Sequence, residues 1–291
     1  NNNPLVIYDK EEVNKIVNEL KLGKFICKDV KSTIKHELPP LLYDLTTLQQ
    51  DANKLYNFSA KYTLDIVQKL YEHYKYLTYP RTDSKYLTTD MYSSVKERLI
   101  NGTYGEYVKY GKEIIEKGIT NSKRIFDNQK VSDHHAIIPT EQKCIIGMLD
   151  SDEEKIYNLV LKRFLAAFMN NYEYLSNSII ISCGNYEFKT TLSIVKNLGW
   201  KKLYDSNNLN NNSVNINKGE ISFNELKTTP NERYTEATLL YAMEHAGKYT
   251  NDAKEKVALE ESSGIGTPAT RAEIIDRIFK AGYVKLVGRS I

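Results

Sequence analysis

Residues 25–36 read FICKDVKSTIKH. β-Branched and charged residues alternate through this stretch at a strand-like period, and Pro39-Pro40 closes it. The next strand patterns are Ser178–Cys183 and Phe188–Val195, about 140 residues later. A strand must find partners for its backbone groups, so the chain has to come back to the first one after a long helical excursion. This predicts an α+β multidomain fold in which a helix-rich domain is inserted into a β-rich one. The boundaries are set at 1–45 and 144–222 for the two β-rich parts, 46–143 for the insertion and 223–291 for a last helical region.

The helical stretches carry their own start signals. Asp9 with Glu12 reads as a capping box ahead of Val13, Ile16, Val17 and Leu20, with Gly23 as the stop. Helices are predicted from Thr46 to Tyr56, after Ser59, from Thr89 to Ile100, from Glu106 to Glu116 and after a second box at Ser151 and Glu154. Thr235–His245 and a segment from Thr267-Pro268 to Gly282 close the chain. Between the strands and these last helices, Asp205–Lys218 is dense in Asn and Ser and reads as a flexible boundary.

Composition narrows the function classes. The 291 residues include 40 Lys and Arg against 37 Asp and Glu, a net charge of +3, so no bulk basic field advertises a nucleic-acid partner. Three scattered cysteines exclude a disulfide scaffold, and no apolar run is long enough to span a membrane. A soluble, cytoplasmic protein is expected. The 22 tyrosines against one Trp fit an AT-rich codon bias, so no tyrosine is notable merely for being there.

Four short segments could carry chemistry. In Thr78-Tyr79-Pro80-Arg81-Thr82-Asp83-Ser84, the proline favours extended chain, where side chains two apart share a face. Tyr79 and Arg81 would then project together: a phenol to attack a phosphodiester and a guanidinium to hold it. The same letters fit a plain turn in which Arg81 pairs with Asp83. In Ser132-Asp133-His134-His135, adjacent histidines point apart, which suits one phosphate donor or proton relay better than a metal site. Either histidine could equally be an ordinary surface residue. Gly264-Ile265-Gly266-Thr267-Pro268-Ala269-Thr270-Arg271 opens a helix whose free amides would favour a phosphate, or is simply a well-capped helix. Arg233-Tyr234-Thr235-Glu236-Ala237-Thr238 is a similar start. No zinc spacing occurs, and no metal site is expected.

Taken in order, LTYPRTDSKYL, SDHHAIIPT, RYTEATLLYAMEHAG and GIGTPATRAEIIDRIFKAGYV resemble the sequence blocks of type IA DNA topoisomerases, with the proline after the tyrosine, the double histidine and GTPATRA pointing to the topoisomerase III branch. PPLLYDLTTLQQDANKLYNFSAKYTLDIVQKLYE resembles the family segment leading to its tyrosine. The resemblance implies a toroidal arch followed by part of a helical base. It implies that Tyr79 cleaves single-stranded DNA as a 5′-phosphotyrosine, passes a strand and reseals without ATP. Arg81 and His134 would be catalytic, His135 less so. Thr78, Asp83, Ser84, His135, Arg233, Glu236, Thr238, Thr267, Thr270 and Arg271 would grip the strand.

The family also has a Toprim domain that supplies a glutamate, a DxD pair and bound Mg²⁺. No such segment is found, and Thr229-Pro230-Asn231 stands where Lys-Pro-Pro is usual. The chain therefore reads as a fragment, inactive alone because a phenol that ordinarily titrates at about 10 has nothing to activate it. The alternative is a single-stranded nucleic-acid-binding module without catalysis. A helicase partner is conceivable for the parent; a membrane is not.

Overall fold

The computed structural model describes residues 6–204, 221 and 223–291, so the Asn-rich boundary at 205–218 lies outside the described residues. The chain divides into two compact units: one of residues 1–38 and 171–231, the other of residues 39–170 and 232–291.

In the first unit, helix α1 (Lys10–Leu22) starts at Asp9, whose carboxylate accepts from the Glu11 amide rather than closing a box with Glu12. Its last turn buries Leu20, and Gly23 sits where a side chain would strike the Cys183 sulfur. Strand β1 (Ile26–Glu37) pairs antiparallel with β2 (Tyr172–Cys183), which pairs antiparallel with β3 (Tyr186–Asn197). The return to the first strand is thus realised, with Ile34 opposite Leu175 and Cys27 opposite Ile181. Gly184, at φ +56°, makes the two-residue turn that joins β2 to β3.

The second unit is helical: α2 (Leu45–Tyr56), α3 (Ala60–Glu72), α4 (Val95–Gly102), α5 (Tyr107–Lys117), α6 (Ser151–Ala167), α7 (Glu236–Glu244), α8 (Ala253–Glu261) and α9 (Pro268–Lys280). Asp44 caps α2 and Ser59 caps α3, each accepting the amide three residues on. The core gathers Leu48, Leu64, Val67, Leu70 and Phe164 at full burial, with α3 against α6 and α9 and α2 against α7. Helix α6, placed by the 143/144 boundary with the strands, packs among these helices. Its box uses Asp150 and Glu153, one residue earlier than expected, because the Asp150 carboxylate collects two amides while Glu153 returns to the Asp150 amide. The stretch from Thr89 splits into a 3-10 segment, Thr89–Ser94, and α4. No described helix is long and apolar enough to cross a membrane.

A candidate active site around Tyr79

Tyr79 lies in the second unit, on the irregular segment after α3, and a second loop holds that segment in place. Thr78 donates its hydroxyl to the Ala136 carbonyl and accepts the Ile138 amide, both at 3.0 Å, and its own amide reaches the Ile138 carbonyl at 3.0 Å. Thr82 donates to the His134 carbonyl at 2.9 Å and Ser84 to the Lys130 carbonyl at 2.8 Å. Leu77, Ile137 and Ile138 are buried beneath. Two stretches more than forty residues apart therefore lock into one ledge. Thr78 and Ser84, expected at the strand, act inside this ledge as its stitches.

The half-buried Tyr79 ring lies 4.1 Å from the exposed His134 ring, centroid to centroid, and meets the Tyr71 ring edge-on at 5.5 Å. On the His134 side, a cleft of about 170 Å³ is lined by Arg81, Asp83, Asp133, His134, Thr267 and Ala269 among others. Arg81 donates to the Ala269 carbonyl at 3.3 Å, and Asp83 accepts from Ser132 at 3.3 Å, so each half of the simple-turn alternative is engaged elsewhere. Arg81 and Tyr79 do not line one cleft together; His134 lies against the phenol ring, the two planes tilted by 35°, and lines the guanidinium's cleft. His135 is half-buried with Nδ1 2.8 Å from the Ala136 carbonyl, and burial pulls its pKa down, so the ring is held neutral with Nδ1 as the donor.

The last helices supply the cleft's other wall. Thr267 and Thr270 form a capping box at the start of α9, behind Pro268, and the Thr270 and Arg271 amides reach the Thr267 carbonyl, which leaves the Ala269 amide and the positive end of the helix dipole beside Arg81. Arg271 departs from expectation. Only 1% of it is exposed, and its guanidinium donates to the Ile265 carbonyl at 3.1 Å, the Thr46 hydroxyl at 3.0 Å and the Ser263 carbonyl. It faces inward because the glycine loop folds over it: Gly264, at φ +91°, lies so near the Met243 and Glu244 carbonyls that only glycine fits. Arg271 thus clamps the loop that presents α9 to the cleft.

At α7, Arg233 is exposed, while Thr235 and Thr238 cap one another. Glu236 turns away from that surface to accept the Ala60 amide at 2.8 Å, tying α7 to the start of α3. Burial raises its pKa above the usual 4.5. The folded state then holds a proton that the unfolded chain has released, so stability falls as pH rises through that window. Glu236→Gln keeps the acceptor and removes the charge. Its melting temperature is expected to exceed that of the wild type increasingly as pH climbs above 4.5, checked by thermal melts across that range.

Reading the letters missed Tyr71 and Lys75, which folding brings beside Tyr79, and Asp133, which lines the Arg81 cleft. Among the described residues no group of three or more His, Cys, Asp or Glu could hold a metal, and Asp83 and Asp133 are the carboxylates lining the cleft. Two carboxylates do not make a Mg²⁺ site of their own, and the resemblance assigns that ion to a Toprim domain and not to these residues.

The chain is similar to known DNA topoisomerases. A DNA topoisomerase family model matches residues 2–291. DNA topoisomerase 3 of Bacillus cereus is 38% identical across 98% of the chain, which covers 41% of that protein. DNA topoisomerase 3 of Bacillus subtilis is 35% identical with the same coverages. The structure of full-length topoisomerase I from Thermotoga maritima superposes with a TM-score of 0.67 at 25% identity, over 100% of this chain and 46% of that one. The chain spans about two fifths of the length of the curated relatives it matches. With the family model covering it nearly end to end, the chain belongs to the DNA topoisomerase family, of the type IA class and its topoisomerase III branch.

Proposed function

We propose that this chain carries the strand-cleaving tyrosine of a type IA topoisomerase. The Tyr79 Oη attacks a phosphorus of single-stranded DNA, the bond to the 3′-oxygen breaks, and the 5′-phosphate stays on the tyrosine. The departing oxygen takes up a proton and becomes a free 3′-hydroxyl. Resealing reverses each step after another strand has passed, and since one phosphodiester replaces another, no nucleotide triphosphate is needed.

The observation that carries this reading is the Tyr79 ring fixed against His134 at the edge of a cleft holding Arg81 and the start of α9. Arg81, the Ala269 amide and the positive end of the α9 dipole would hold the phosphate and offset its charge. His134, exposed in the same cleft, is the group placed to pass a proton to the leaving oxygen. Thr267 and Thr270 fix the start of α9, Asp83 orders the opposite loop through Ser132, and Arg233 offers an exposed cation for the backbone farther along. By this reading carboxylates of a Toprim domain take the phenolic proton as the Tyr79 Oη attacks, and the chain alone binds single strands without cutting them.

The test combines the chain with a Toprim domain of the family, Mg²⁺ and 3′-labelled single-stranded DNA. A denaturant-stable protein–DNA product is expected in the mixture and not with either component alone. Binding without any covalent product in the complete mixture would favour the non-catalytic binding module.

A further inference from the structure

On the side of Tyr79 facing away from Arg81's cleft lies a second opening, of about 270 Å³, to which the proposed reaction assigns no part. Tyr71, Lys75, Tyr79, His135 and Thr140 line it, and its walls are mostly apolar. Pockets for drug-sized ligands run to roughly 300–1,000 Å³, so this one suits a single flat ring system. Tyr71 and Tyr79 stand at 86° to each other, ring edge against ring face at 5.5 Å between centroids.

Lys75 is the odd residue in this wall. Its φ of +58° is a left-handed conformation that side chains other than glycine adopt only at a cost. The fold imposes it from outside: Thr140 donates its hydroxyl to the Lys75 carbonyl, and the Thr140 amide donates to the Tyr76 carbonyl at 3.0 Å. The result is an ammonium held 5.6 Å from the centre of the Tyr71 ring, at the mouth of an apolar slot. A ring-lined slot with one cation at its rim matches a nucleotide's two parts, a flat base and a charged phosphate.

We propose that this cleft is a nucleobase subsite, which takes the unpaired base of a nucleotide bordering the phosphate at Tyr79. Tyr71 stacks on that base, and the Lys75 ammonium meets its phosphate. The proposal rests on the reading of Tyr79 as facing single-stranded DNA. It adds that the strand is held there by a base and not by backbone alone.

Equilibrium binding of the chain to oligo(dT), and to a strand of equal length built from abasic sites, tests it. Tyr71→Ala is expected to weaken oligo(dT) binding by about 5- to 150-fold, the range for losing one stacked base, and to leave the abasic strand's affinity unchanged. Tyr71→Phe should behave as wild type with both. Lys75→Gly relaxes the left-handed backbone, so the variant folds, and it should lower the salt dependence of oligo(dT) binding by about 0.7 in log–log slope, one phosphate's share. Equal losses for both strands on Tyr71→Ala, or no loss for either, overturn the subsite, as does an unchanged salt slope for Lys75→Gly. A wild-type chain that binds neither strand overturns the reading of the whole interface and the subsite with it.

Discussion

Tyr79→Phe removes one oxygen and is expected to abolish covalent product in the complemented reaction, a fall of at least about 10⁴-fold, in line with loss of a nucleophile elsewhere. The phenylalanine ring still fills the space between His134 and Tyr71, whose contacts are with the ring and not the hydroxyl. Folding and single-strand affinity should therefore match wild type, which separates chemistry from binding. The 22 tyrosines of the chain supply the controls. Tyr76 is buried, with its hydroxyl accepting the Ile145 amide at 3.1 Å, and Tyr74 donates to Glu153. Neither is free to reach a phosphate, so Tyr74→Phe should leave product formation intact. Product persisting in Tyr79→Phe, measured on denaturing gels with 3′-labelled DNA, would move the nucleophile elsewhere.

Arg271→Ala is expected to act through stability and not through direct loss of a strand contact. It leaves the buried Thr46 hydroxyl and the part-buried carbonyls of Ser263 and Ile265 without their donor. The orphaned buried hydroxyl costs about 1–3 kcal/mol, the carbonyls less because water reaches them, and the lost packing of the buried side chain brings the sum to about 3–5 kcal/mol. For a unit of about 190 residues, that lowers the melting temperature by roughly 6–20 °C. Burial already pulls the Arg271 pKa down, yet a guanidinium stays charged, so the clamp holds a cation whose hydrogen bonds are all internal. Arg271→Lys gives the sharper comparison. A strand-gripping role would be largely kept by any cation, whereas the clamp needs a planar fork reaching three acceptors. Thermal melts should place Arg271→Lys near Arg271→Ala; a lysine variant as stable as wild type, with lowered DNA affinity in the alanine variant alone, would restore the direct contact.

The architecture was legible wherever local chemistry decides it. Asp9, Ser59 and Thr267 cap helices because a short side-chain acceptor ahead of an apolar period has few other uses. The unpartnered first strand implied its distant partner through backbone satisfaction alone. The strands run longer than their apolar stretches suggest, since Tyr172–Asn177 is polar by letter and is held by pairing with β1 and β3. Helix α8 escaped notice because it has no buried residue and so writes no apolar face into the sequence.

At the site, residue types were visible but directions were not. Tyr79, Arg81 and His134 were named from their motifs, yet what joins their loops is a set of hydrogen bonds spanning more than fifty residues. Nothing in GTPATR tells an arginine aimed at solvent from one folded under its own glycine loop. Lys75 carries no mark at all, since the left-handed turn that aims it is imposed by Thr140.

Mapping the point of DNA attachment tests the central claim most directly. The complemented reaction is stopped with denaturant, the DNA trimmed by nuclease, and the protein digested for mass spectrometry. The nucleotide should sit on the peptide holding Tyr79, joined through its 5′-phosphate, with a 3′-hydroxyl on the released piece. Attachment at any other residue, or through a 3′-phosphate, would contradict the account.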